Sequence, residues 1–84
     1  MDKNNIKSFI RVEIDVPETG NKLKKRREEI GLEISEVATY LGVTKRAIYK
    51  YEEHMSLPSI DTWVNLARLY QTSIDDLIVL IKRP

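Results

Sequence analysis

Residues 35–52, SEVATYLGVTKRAIYKYE, constrain this chain more than any other stretch. Val37, Ala38 and Leu41 stand at i, i+1 and i+4, an apolar stripe at helical spacing. Gly42 supplies the backbone freedom of a helix C-terminus, and Thr44 can cap a second helix beginning at Lys45. In that second helix Ile48 and Tyr51 face one way, while Lys45, Arg46, Tyr49 and Lys50 face elsewhere. Two short helices joined by a tight turn are therefore expected. The second has one face to bury and one basic face with a tyrosine among the cations.

A helix lying in a DNA groove needs those properties, because cations meet phosphates and donors reach base edges. The net charge of +1 alone gives this little support. Its distribution matters more. Residues 22–27, KLKKRR, and 45–50, KRAIYK, carry cations and no anion, whereas most acids lie elsewhere. The plain alternative for each cluster is a solvated helix face.

Composition excludes other classes. There is no cysteine, hence no disulfide framework or thiolate metal site, and the single His54 has no companions for metal or catalytic chemistry. No nucleophile with a base and no glycine-rich phosphate loop is present, so no enzyme activity and no cofactor are expected. No apolar run approaches the roughly 20 residues that span a bilayer. The expectation is one small, soluble, cytoplasmic domain without a leader peptide.

The pattern Arg27, Gly31-Leu32, Val37-Ala38, Leu41-Gly42-Val43-Thr44, Ile48, Glu52, Pro58-Ser59, Leu66-Ala67 and Asp76-Leu77 resembles the lambda-repressor and Cro type of helix-turn-helix domain, the xenobiotic-response-element-like family. The resemblance covers residues 21–78. It implies a mainly α fold of five helices whose second and third form the helix-turn-helix, and a bacterial or phage origin. It also implies a structural ion pair between Arg27 and Glu52 that locks the first helix to the third.

The chain divides into an arm (1–19), a helix-turn-helix domain (20–78) and a tail or strand (79–84). In the arm, Ile6, Ile10, Val12, Ile14 and Val16 alternate with Arg11, Glu13 and Asp15, the mark of a half-buried strand that Pro17 ends. A lone strand needs a partner. The candidates are the run Ile78 to Ile81, expected to switch to strand near Ile78, and the same strand of a second copy paired antiparallel about a two-fold axis; both hold if two hairpins join into one sheet. The first helix is expected over 22–30, capped by Thr19 or Asn21, with Leu23 and Ile30 inward. Lys22, Lys24, Lys25 and Arg26 face water or a phosphate backbone. The second helix spans 34–41 and the third 45–53. His54 takes the place where the family has glycine, a left-handed position. The fourth helix starts after the cap Ser59, with Ile60, Trp63, Val64, Ala67 and Tyr70 as its core stripe. Ser73 caps a short fifth helix.

The resemblance implies a sequence-specific, repressor-type regulator that binds double-stranded DNA as a homodimer through the third helix. Thr44 would give its hydroxyl to a phosphate, Arg46 would bond guanine, Tyr49 would meet a thymine methyl or a phosphate, Lys45 would join them at base edges, and Lys50 would contact a phosphate. One departure weakens this. Where the family has a phosphate-binding glutamine, the chain has Ile34, and the nearby Glu33 and Glu36 would repel a phosphate. That departure and the apolar arm favour the alternative of an antitoxin-like or adaptor-like module with a protein partner on the N-terminal strand.

Overall fold

The computed structural model describes Ile6 and residues 9–83. Sequence expectations for residues 1–5, and for residues 7 and 8 of the arm, lie outside the described residues. The elements are β1 (Arg11–Ile14), α1 (Val16–Ile30), α2 (Ile34–Leu41), α3 (Lys45–Glu52), α4 (Ile60–Leu69), α5 (Ile74–Leu77) and β2 (Leu80–Arg83). Among the described residues the fold is mainly helical, with five helices and one two-stranded antiparallel sheet.

The first helix begins six residues earlier than the sequence suggested. Asp15, not Thr19 or Asn21, is its N-cap and accepts from the Glu18 N–H at 3.0 Å. Pro17 sits in the first turn, where its missing N–H costs nothing. The expected arm boundary at 19/20 thus falls inside α1. Val16 is helical because the cap at Asp15 ends the strand, which among the described residues comprises Arg11–Ile14. Within the chain, β1 pairs antiparallel with β2. Ile14 stands opposite Leu80, Glu13 opposite Ile81, Val12 opposite Lys82 and Arg11 opposite Arg83.

Thr19 joins the sheet to the helices. It is fully buried, its Oγ1 accepts from the Val79 N–H at 3.0 Å, and its hydroxyl donates to the Val79 carbonyl at 3.4 Å. The Asp15 N–H reaches that carbonyl at 2.7 Å. Otherwise the strands hold each other and touch the helices little. The Cα radius of gyration is 15.1 Å, against about 12 Å for a compact chain of this length.

The core is built from Leu23, Val37, Ala38, Ile48, Trp63, Leu66, Ala67, Tyr70 and Leu77. On α4 and its C-cap the buried stripe is Trp63, Leu66, Ala67 and Tyr70, at i, i+3, i+4 and i+7. Trp63, Ala67 and Tyr70 are buried as expected, Leu66 joins them, and Ile60 and Val64 are exposed. Ile60 opens α4, ahead of the turns that meet other helices. Ile30 is also exposed, in the last turn of α1 beyond the packed segment. Tyr51 packs on the core edge, as expected.

Left-handed residues close the helix ends. Gly42 has φ 67°, and the Val43 N–H returns to the Ala38 carbonyl at 3.0 Å, setting the tight α2–α3 turn. His54 adopts φ 70° after α3, the geometry expected of it. Its Nε2 lies 2.9 Å from Asn21 Oδ1, linking the end of α3 to α1.

Candidate nucleic-acid interface

The interface begins with the position of α3. Ile48 is buried in the core and Glu52 is buried against α1, which turns the opposite side of the helix outward. Thr44 caps the helix, its Oγ1 accepting from the Ala47 N–H at 3.1 Å. That leaves the Thr44 hydroxyl proton available to an external acceptor. Lys45, Arg46 and Tyr49 are exposed and Lys50 is half-buried. None of these three cations is paired with a carboxylate among the described residues. A free, exposed cluster of two cations and a tyrosine at the start of a short helix can offer hydrogen bonds and charge to a polyanion.

Arg27 and Glu52 set the tilt of α3. Arg27 Nε and Nη2 meet Glu52 Oε2 and Oε1 at 2.7 and 3.0 Å, and Nη1 donates to the Leu32 carbonyl at 2.9 Å. Both residues are buried. The Glu52 carboxylate drives the Arg27 pKa still higher than usual, despite the desolvation that opposes it. The pair expected from the resemblance is therefore in place, in fork-to-fork geometry.

Gly20 makes close packing of α1 on α3 possible. A Cβ there would lie 2.6 Å from His54 Cδ2, 2.7 Å from the Tyr51 carbonyl oxygen and 2.9 Å from that of Glu52.

A cleft of about 310 Å³ lies between the starts of α2 and α3, lined by Arg27, Glu33, Ile34, Ser35, Lys45 and Tyr49. Both helix N-termini favour an anion here. Ile34 packs against the core edge rather than reaching outward. Glu36 folds back on its own helix, its Oε1 accepting from the Glu33 N–H at 2.9 Å. This capping arrangement occupies the Glu36 carboxylate that the sequence placed against a phosphate, and leaves Glu33 on the rim. Ser35 lines the same cleft and was missed; its one sequence signal is a hydroxyl in the first turn of a helix. Arg26 is not a free cation, since its Nε donates to the Tyr70 carbonyl at 3.0 Å and fastens the end of α4. Lys22, Lys24 and Lys25 remain exposed.

No helix among the described residues is long and apolar enough to cross a membrane. No group of metal-holding side chains occurs among the described residues.

The fold is shared with solved structures. The restriction-modification controller protein C.AhdI from Aeromonas hydrophila superposes with a TM-score of 0.70 at 21% identity, over 75% of this chain and 96% of that one. The P22 c2 repressor, solved in complex with a synthetic operator, gives 0.68 at 24% identity, over 70% and 89%. Hydroxypropylphosphonic acid epoxidase from S. wedmorenis gives 0.70 at 23% identity, but the match covers only 34% of that enzyme. By sequence, the chain is 48% identical over 52 residues to a protein named as an HTH-type transcriptional regulator in Sulfurisphaera tokodaii, covering 62% of this chain and 18% of the relative. A protein of the same description from Methanocaldococcus jannaschii is 45% identical over 42 residues, 50% of this chain and 13% of that one. The chain thus spans less than a fifth of the length of these regulators. Both are archaeal, so the bacterial or phage origin implied by the resemblance gains no support from them. The family model described as helix-turn-helix matches residues 23–77, and the chain belongs to that family.

Proposed function

We propose that the chain is a sequence-specific regulator that binds double-stranded DNA as a homodimer and acts as a repressor, with α3 in the major groove. The observation that carries this reading is the exposed group Lys45, Arg46 and Tyr49 on a helix whose other side is anchored by Ile48 and the Arg27–Glu52 pair. Arg46 reads a guanine through O6 and N7, Lys45 and Tyr49 contact neighbouring base edges, and Thr44 and Lys50 hold phosphates. The P22 c2 repressor, of like fold, was solved with an operator, which supports the same use of the fold here. Two copies related by a two-fold axis read half-sites about 34 Å apart.

Selection from a random duplex library at about 0.15 M salt, where phosphate contacts are screened but not abolished, tests this reading. A partly palindromic site is expected. No enrichment would overturn it.

A second reading, a protein-interaction module of the antitoxin or adaptor kind, is favoured by the exposed Val12 and Leu80 of the sheet. A foreign protein docked on that sheet, together with absent DNA affinity, would decide for it.

A further inference from the structure

The homodimer proposed above has no interface assigned, and we infer that β1 supplies it: two copies pair β1 with β1, antiparallel and centred on Val12, joining two small sheets into one of four strands. The inference rests on the homodimer reading and adds the surface and its register.

The sheet has two strands, so β1 has a free edge among the described residues. Backbone groups along a strand point alternately to either side. The Asp15 N–H bonds the Val79 carbonyl beside β2. By alternation, Glu13 and Arg11 also turn their backbone groups towards β2. The N–H and C=O groups of Ile10, Val12 and Ile14 then face the free edge. Ile10 and Val12 are 55% and 51% exposed, and Leu80 beside them is 55% exposed. An apolar, unpaired edge of this kind is a template for strand pairing unless something covers it.

The sequence of that edge is complementary to itself. Placed antiparallel about Val12, Ile-Arg-Val-Glu-Ile sets Val12 opposite the partner's Val12, Ile10 opposite the partner's Ile14, and Arg11 opposite the partner's Glu13. The last two pairs occur twice by symmetry. Shifting the centre by one residue puts Glu13 against Glu13 or Arg11 against Arg11, and like charges directly opposite are unfavourable. The intrachain sheet leaves a charge defect that this register repairs. Arg11 stands opposite Arg83, while Glu13 bonds Arg83 at 3.2 Å. The partner's Glu13 gives Arg11 an anion on its other flank. The apolar residues Val12, Ile14 and Leu80 share one sheet face, so joining two sheets doubles a continuous apolar strip.

The test uses the full chain without DNA. Light scattering and sedimentation across a wide concentration range should find a dimer. Val12→Pro removes an N–H that faces the free edge and no intrachain ladder bond, so it should dissociate the dimer while circular dichroism stays unchanged. Arg11→Glu should weaken the dimer at least about tenfold, and adding Glu13→Arg should restore it. The chain has no cysteine, so single replacements can be scanned. Val12→Cys should crosslink fastest under mild oxidation, because a hydrogen-bonded pair holds its Cα atoms about 5.5 Å apart, within disulfide range. Arg11→Cys and Glu13→Cys should lag. A dimer that ignores these changes, or crosslinks best elsewhere, overturns the β1 interface and leaves the homodimer reading standing. A monomer at every concentration overturns both, and a monomer that captures a foreign strand on β1 does the same.

Discussion

Arg27 and Glu52 meet through two hydrogen bonds of 2.7 and 3.0 Å in a setting where both are buried, joining α1 to the last residue of α3. Such a pair adds little stability compared with a well-packed apolar substitute, but removing one partner strands a buried charge. Either Arg27→Ala or Glu52→Ala should cost about 3–5 kcal/mol. For a domain of this size that lowers the melting temperature by about 15 °C or more. The double change Arg27→Met, Glu52→Leu should cost far less than the two singles summed. Thermal melts of the three variants check the cycle, and additive losses would refute a buried pair.

Gly20→Ala tests the close approach of α1 to α3. Alanine is the better helix former, so an open position would gain up to about 1 kcal/mol. Here the methyl group meets two backbone carbonyls of the α3 C-terminus at under 3 Å. Net destabilisation of about 1–3 kcal/mol in urea unfolding is expected. A stabilised variant would show that the helices are further apart.

Thr19→Val tests the joint between helices and sheet. The change keeps the shape and removes a hydroxyl that serves both backbone groups of Val79. The Val79 N–H then loses its partner in a part-buried site, at about 1–3 kcal/mol. Hydrogen exchange should show faster opening of β2 while the α2–α3 unit stays protected. Unchanged exchange at Val79 would contradict the joint.

Tyr70 gives the fold an alkaline limit. Its side chain is buried, and that burial, with the nearby Glu52 charge, pushes the phenol pKa well above its ordinary value. The folded state therefore keeps its proton where the unfolded chain loses it. The stability contributed is complete below about pH 10 and falls as pH rises past that towards the folded pKa. Tyr70→Phe should flatten the loss of stability above pH 10. Parallel decline of both proteins would assign the limit to another group.

Much of this was legible in the sequence because the signals were local. Gly42, Thr44 and the spacing of Val37, Ala38 and Ile48 define the α2–α3 unit by short-range rules, and the structure keeps those bounds except that α3 ends at Glu52, one residue early. The start of α1 lies earlier than the apolar pattern suggests, although Asp15-Val16-Pro17-Glu18 is a capping pattern with proline in the first turn. The period-2 run from Ile6 to Val16 masked it, since four residues of true strand and a helix cap can share one alternation. On α4 the sequence expectation fails only at Ile60 and Val64, which fit the same 3.6-residue period as Trp63 and Ala67, and only packing shows which side faces inward. The Arg26 contact with the Tyr70 carbonyl joins residues 44 apart, beyond any local rule. Nor does a sequence show that Glu36 turns back to the Glu33 amide instead of facing a phosphate.

We propose that the exposed start of α3 reads bases. The most direct measurement is the affinity of the wild type and of Arg46→Ala for the selected site and for versions of it with each base pair changed in turn. The variant should lose about 1–3 kcal/mol on the intact site and become indifferent to one base pair in each half-site. An equal loss on every sequence would contradict the claim and leave Arg46 as a phosphate contact only.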